Sequence, residues 1–221
     1  MFALESKIYE KSIFIVGYGR SGTTLLKNII TSTIPNCHIS GENGNALYHL
    51  FCSVQTIKSH QQSVSTSTDD GPWTNLHKIN TEKYKTELWN TFIKNVISPK
   101  KDTKIIGFKE IRAFNNPEYF DEYMNFMLSL NKNSKILFTT KNDEEVMRSG
   151  WWKKNPKIKD LLIQFRKLIN DYHIQNKNNT YICDYNTYLN NFEETKKIFD
   201  FLSEKTDFEK IKQIINRKIY S

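Results

Sequence analysis

The sequence predicts an α/β protein, a three-layer sandwich in which helices cover both faces of a central, mostly parallel sheet. Short apolar runs alternate with longer stretches of helical periodicity along the chain, the alternation that successive βαβ units require. The first run is apolar at nearly every position rather than at every second one, the mark of a strand buried on both faces. The chain has 221 residues, 38% of them apolar, with 14 Phe, 11 Tyr and 4 Trp. That is the size of one domain, here residues 1–221, with side chains enough for a core, and it excludes a wholly disordered chain.

The first strand is Ser12-Ile13-Phe14-Ile15-Val16, stopped by Gly17. A helix from about Gly22 to Thr33 follows, with Leu25, Leu26, Ile29 and Ile30 at helical spacing and Pro35 closing it. Cys37 to Ser40 reads as a second short strand, and Asn45 to Lys58 as a helix with Leu47, Leu50, Phe51 and Val54 on one face. Residues 59–75, SHQQSVSTSTDDGPWTN, are almost free of large apolar side chains. They read as a mobile loop, reaching to about residue 80, either a substrate-facing lid or disorder. Beyond it come a helix near Glu82 to Ile97, a strand Lys104 to Phe108, a helix near Pro117 to Leu130 and a strand Lys135 to Thr140. A helix from Glu144, a helix Ile158 to Ile174, a strand Thr180 to Asp184 and a helix Glu193 to Glu204 complete the series. In such sheets ligands bind beyond the C-terminal ends of the strands, which directs attention to the residues just after each one.

Composition narrows the function classes. No window holds the ~18 to 20 apolar residues of a membrane helix, and Glu5 and Glu10 interrupt the N-terminus where a signal peptide would be apolar. A cytoplasmic protein without stable membrane insertion is expected. Cys37, Cys52 and Cys183 lie far apart, with no CxxC pair and no Cys/His cluster, which argues against a disulfide framework or structural zinc. The net charge is +8, and residues 131–170 alone hold ten Lys or Arg against four Asp or Glu. Nucleic acid, an anionic membrane, a polyanionic substrate or simply solubility would each suit that excess.

Gly17-Tyr18-Gly19-Arg20-Ser21-Gly22-Thr23-Thr24 leads from the first strand into the first helix. Glycines at this spacing turn backbone N–H groups inward, and the helix N-terminus adds about half a positive charge, so the loop makes an anion cradle. A nucleotide-hydrolysing P-loop places Lys after the second glycine; here Thr23 stands there and Arg20 is the only cation. The segment Ile13 to Ile30, IFIVGYGRSGTTLLKNII, resembles the 5′-phosphosulfate loop of sulfotransferases that use 3′-phosphoadenosine 5′-phosphosulfate. The resemblance implies the P-loop-like fold of that family and Gly19, Arg20, Ser21, Gly22, Thr23 and Thr24 as cofactor-binding residues. It also implies no required metal.

Two further segments extend the resemblance to about residue 202. The family binds the cofactor's 3′-phosphate with an Arg at a later strand end and a Ser eight residues on. Lys141 and Ser149 hold that spacing here, with Lys in place of Arg, which keeps the charge and loses the bidentate fork. Arg148 is a candidate to share the role. Tyr185, Thr195, Phe201 and Leu202 match the spacing of a third family segment whose Glu-Asp is absent, which makes Tyr185 a core residue.

For chemistry, the resemblance to carbohydrate- and tyrosine-directed members implies a base in the Gly-Glu context, Glu42 of Ser40-Gly41-Glu42-Asn43-Gly44, with His49 as runner-up or packed core histidine. Arg20 faces the leaving 5′-phosphate, and Lys109 resembles a cation set against the sulfuryl oxygens. Glu110 and Arg112 read as surface charges. Trp151 and Trp152 stack on a ligand ring or fill the core, and Asn216-Arg217-Lys218 is a frayed basic helix end. The acceptor is expected to be a saccharide or glycolipid hydroxyl, with a tyrosyl protein or small alcohol as alternatives. Two other classes compete: a P-loop kinase with Thr24 and Asp184 on magnesium, and a nucleic-acid module using the basic window, which lacks a recognised motif. No nucleic-acid partner is expected.

Overall fold

The computed structural model describes residues 9–64, 71–205 and 207–219. The chain opens with β1 (Lys11–Gly17), α1 (Thr23–Thr33), β2 (Cys37–Ser40) and α2 (Ala46–Ser63). It continues through α3 (Thr81–Phe92), β3 (Ile105–Glu110), α4 (Phe120–Ser129), β4 (Ser134–Thr140) and α5 (Asp143–Met147). It ends with α6 (Ile158–Gln175), β5 (Thr180–Asp184), α7 (Tyr185–Asn190), α8 (Phe192–Leu202) and α9 (Phe208–Ile219).

The five strands form one sheet in the order β2-β3-β1-β4-β5, and every pairing is parallel. From β1 the chain crosses outward to β2, returns to β3, then passes over β1 to β4 and β5. The crossovers part at β1, which opens a crevice beyond its C-terminal end. Val16 pairs with Glu110 and Gly17 with Thr139, so the β1, β3 and β4 ends are level with one another.

Alternation along β1 builds two cores of different character. Phe14 and Val16 face an aromatic layer with Phe108, Phe138, Phe120, Tyr123 and Tyr172, covered by α2, α3, α4 and α6. Ile13 and Ile15 face an aliphatic layer with Leu25, Leu26, Ile29 and Ile30 of α1, covered also by α8 and α9. No helix among the described residues is long and apolar enough to cross a membrane.

Four differences from the sequence expectation have physical causes. β3 runs two residues past Phe108, because Lys109 and Glu110 continue the ladder with Ile15 and Val16. α2 runs past Lys58 to Ser63, where Gln61 donates to the Leu76 and Ile79 carbonyls (2.8 and 2.9 Å) and His60 packs on Trp73. The helix thereby takes the first part of the expected 59–80 loop, and residues 65–70 of that loop lie outside the described residues. α7 starts where Asp184 accepts from the Thr187 N–H, and α9 adds Ile211 and Ile215 to the aliphatic layer; the sequence reading had no α7 and only the basic end of α9.

Candidate functional site

The loop after β1 is held from below and left open above. Tyr18 is buried beside Phe165, and its hydroxyl accepts from the Lys141 N–H (3.1 Å). Gly22 lies in the left-handed region at φ 94 and begins α1 with no side chain to cap it, and no acidic residue stands in the first turn. Helices α3, α5, α7 and α8 are capped by Asn80, Asn142, Asp184 and Asn191. The first-turn amides of α1 have no intrahelical partner, and that makes this helix end the one of these suited to an external anion. Arg20 also takes a left-handed φ of 71, and its Nε donates to Ser149 Oγ at 2.7 Å.

Ser21 departs from the expectation. Its hydroxyl is buried against Thr139 Oγ1 at 2.7 Å and its N–H goes to the Tyr18 carbonyl at 3.1 Å. Both polar groups are spent inside the fold, and Ser21 supports the loop from beneath instead of lining the crevice.

Lys141, just beyond β4, pairs with Glu145 at 2.8 Å and lies over the Tyr185 ring at 4.4 Å from its centroid. Tyr185, expected in the core, is half-buried and packs its ring against Gly22. Ser149 sits beyond α5 with its N–H on the Val146 carbonyl. Trp152 donates its indole N–H to the Gly19 carbonyl at 2.8 Å, tying this second segment to the cradle. Trp151, 58% exposed, stands at the rim over Gly19.

The acid–base cluster comes from the other side of β1. Glu42, in the turn after β2, contacts Lys109 Nζ through Oε1 and Arg112 Nη1 through Oε2 at 2.9 Å. Burial pushes the Glu42 carboxyl up, but hydrogen bonds and charge from Lys109 and Arg112 outweigh it and leave the group below its ordinary value. Glu110, read from sequence as a surface charge, is buried. Its carboxylate accepts four backbone N–H groups, from Asn43, Asn45, Ile111 and Arg112. Arg112 is likewise not a free surface charge, being bound to Glu42.

These elements enclose a pocket of about 400 Å³ lined by Gly19, Arg20, Gly22, Thr23, Thr24, Glu42, Lys109, Lys141 and Ser149, the expected residues without Ser21, and by Ile111, Trp151 and Tyr185. Ile111 and Tyr185 were not among the expected site residues; their place just after β3 and β5 was the available signal. His49 is exposed and outside the lining, as α2 turns its buried stripe of Leu47, Tyr48, Phe51 and Val54 elsewhere. Arg148 pairs with Glu144 in solvent at 3.1 Å. A larger groove of about 520 Å³ between α2 and α4 holds one cation, Lys58, already paired with Glu82. The cations Arg20, Lys109 and Lys141 converge on the first pocket. Among the described residues no three His, Cys, Asp or Glu side chains gather to hold a metal ion.

The structure is similar to the sulfotransferase domain of the Synechococcus PCC 7002 olefin synthase, with 14% identity, 94% of this chain and 78% of that chain covered, and a TM-score of 0.52. It is also similar to the sulfotransferase STF1 of Mycobacterium tuberculosis, with 12% identity, 95% and 71% covered, and a TM-score of 0.46. A third similar structure is a retinol dehydratase in complex with retinol and PAP, with 14% identity, 96% and 65% covered, and a TM-score of 0.42. No protein-family model and no curated protein sequence matches the chain. What is shared at such identities is the fold, and the first of these likenesses shows that this chain has the sulfotransferase fold.

Proposed function

We propose that the protein is a sulfotransferase, one domain over residues 1–221, that moves a sulfuryl group from 3′-phosphoadenosine 5′-phosphosulfate to an acceptor hydroxyl on a saccharide or glycolipid. The observation that carries this reading is the convergence in one pocket of an uncapped helix start, the three cations Arg20, Lys109 and Lys141, and the carboxylate Glu42. The pocket's volume falls in the range of ~300–1,000 Å³ usual for small-molecule and cofactor sites. The donor set fits a ligand with more than one anionic group, because the cradle and the Lys141–Ser149 segment bring cations and hydroxyl donors into one pocket from different strand ends. When bound, the cofactor supplies an activated sulfuryl group on a 5′-phosphate.

In this reading the α1 amides, Arg20, Thr23 and Thr24 hold the 5′-phosphate end and keep positive charge against it, the electrostatic term that dominates such transfers. Lys141 and Ser149 hold the 3′-phosphate. Lys109 faces the sulfuryl oxygens from the end of β3. Glu42 takes the acceptor proton at Oε2, the open side, since Arg112 there is 46% exposed while Lys109 on Oε1 is 11% exposed. Glu42 is ionised at neutral pH, as an ordinary carboxylate is, and the cations that lower its value also make it a weaker base than one poised near the working pH. A kinase reading is weaker, because Asp184 spends its carboxylate on Thr187 and Thr140.

Calorimetric and thermal-shift titration with adenosine 3′,5′-bisphosphate tests the reading, with ATP–magnesium as the contrast. The bisphosphate should stabilise the protein by ~2.7 kcal/mol at a hundred times its dissociation constant. Absence of both heat and thermal shift refutes the proposal, and so does a preference for ATP–magnesium. Labelled sulfate donor offered with fractionated glycans, peptides and small alcohols identifies the acceptor, and Glu42→Gln should lower turnover ~10²–10⁴-fold without loss of bisphosphate binding.

A further inference from the structure

Glu110 closes β3 and is 1% exposed, a carboxylate almost wholly withdrawn from water. A buried charge of this kind needs strong partners, and its nearest are backbone amides. Oε1 accepts from the Ile111 and Arg112 N–H groups at 2.9 and 3.0 Å, and Oε2 from those of Asn45 and Asn43 at 2.9 and 3.3 Å. Arg112 Nη1 stands 3.7 Å from Oε1. One carboxylate therefore joins two segments distant in sequence, the turn after β2 that carries Glu42 and the end of β3 that carries Lys109 and Arg112.

Apart from the Glu42 ion pairs, the turn's other side-chain bonds are the Ala46 N–H to Asn43 Oδ1 at 2.8 Å and the Ser40 hydroxyl to the Gly107 carbonyl at 3.4 Å. A Cβ added to Gly41 or Gly44 would meet nothing within 4 Å, so the turn is open at these two positions. Asn45, in the left-handed region at φ 64, adds one bond from its Nδ2 to the Arg112 carbonyl at 3.3 Å, on the same seam.

We propose that Glu110 is a positioning residue whose carboxylate clamps the Glu42 turn to the end of β3, setting Glu42 against Lys109 and Arg112. The lowered Glu42 carboxyl agrees with a turn held between those two cations. The catalytic consequence rests on the sulfotransferase reading; the clamp itself does not.

Glu110→Gln tests it. The amide presents an NH2 group to N–H donors, so at least two of the four bonds are lost. Relative to the parent, the Asn43 and Asn45 amides should exchange hydrogen faster by about tenfold or more while β1 amides keep their protection. The Glu42 carboxyl, followed by carbon-13 titration, should move up toward its ordinary value. Turnover should fall by up to ~10²-fold, the scale of an ångström-sized misplacement of a reacting group, while adenosine 3′,5′-bisphosphate affinity is unchanged. If exchange and titration stay as in the parent, the clamp is overturned whatever the activity does. If both move and an active enzyme keeps its turnover, the positioning role is overturned. If both move and the parent transfers sulfate to no acceptor, the clamp stands and the sulfotransferase reading fails. Should Glu110→Gln not fold, Glu110→Asp keeps the charge, withdraws the carboxylate by one methylene, and is read in the same way.

Discussion

Gly22→Ala tests the architecture of the pocket. Gly22 has φ 94, where an L side chain costs about 1–2 kcal/mol. The added methyl would also run into the Tyr185 ring, with Cε2 at 3.0 Å and Cγ at 3.1 Å. Tyr185 must swing aside and leave Lys141, a cation–π contact worth about 0.5–1 kcal/mol at a partly exposed site. Together these come to about 2 kcal/mol, and for a chain this long each kcal/mol lowers Tm by about 2–4 °C. A fall of about 4–8 °C is expected, measured by calorimetry beside Gly41→Ala. That control has open space around it and no left-handed φ, and should stay within about 0.5 kcal/mol of the parent. Adenosine 3′,5′-bisphosphate should bind at least about tenfold more weakly to Gly22→Ala, a loss of about 1.4 kcal/mol. If the two variants melt together and bind alike, the roles given to Gly22 and Tyr185 are wrong.

Lys109→Met removes the buried cation on Glu42 Oε1 while burial and Arg112 remain, so the Glu42 value rises. As the proposed base, Glu42 works deprotonated, so activity should be present above its folded-state value and lost as pH falls through it. The acid limb of kcat/KM should therefore move to higher pH in Lys109→Met, and a limb that stays or moves lower contradicts the pairing. Gly107→Ala places a methyl on the Ile13 carbonyl oxygen across the β1–β3 seam, with the carbonyl carbon at 2.8 Å. Backbone cannot yield as a side chain does, and a loss of at least about 1–3 kcal/mol is expected in urea unfolding; an unchanged midpoint contradicts the register.

What was legible in the sequence was local. The Ile13-to-Ile30 segment holds strand, turn and helix in sequence neighbours, so residue type and spacing were enough to read it as an anion cradle, while Lys141 and Ser149 after β4 came from the resemblance to sulfotransferases, and both segments line one pocket. What was not legible depended on partners far along the chain. Glu110 looks like a surface charge by residue type; its burial comes from pairing with Val16 and from amides 65 and 67 residues away. Ser21 looks like a ligand by motif, and only the position of Thr139, 118 residues on, turns its hydroxyl inward. Tyr185 looks apolar enough for the core, but α7 begins at it, and that holds its ring over Gly22 and beneath Lys141. The Ile211 and Ile215 spacing of α9 was visible as a helical stripe and went unread.

The placement of the four tryptophans makes the protein its own optical reporter. Trp89 sits in the aromatic layer against Phe14 and Phe92, Trp73 lies on the surface, and Trp151 and Trp152 flank the cradle at Gly19. The aliphatic layer around α1 has no indole. Emission from the Trp151–Trp152 pair should respond when a nucleotide fills the pocket, and emission from Trp89 when the α2–α3 side of the sheet comes apart. Replacing Trp89 by Phe in one variant, and Trp151 with Trp152 by Phe in another, separates the two signals, so ligand occupancy and unfolding can be followed in one cuvette without a dye.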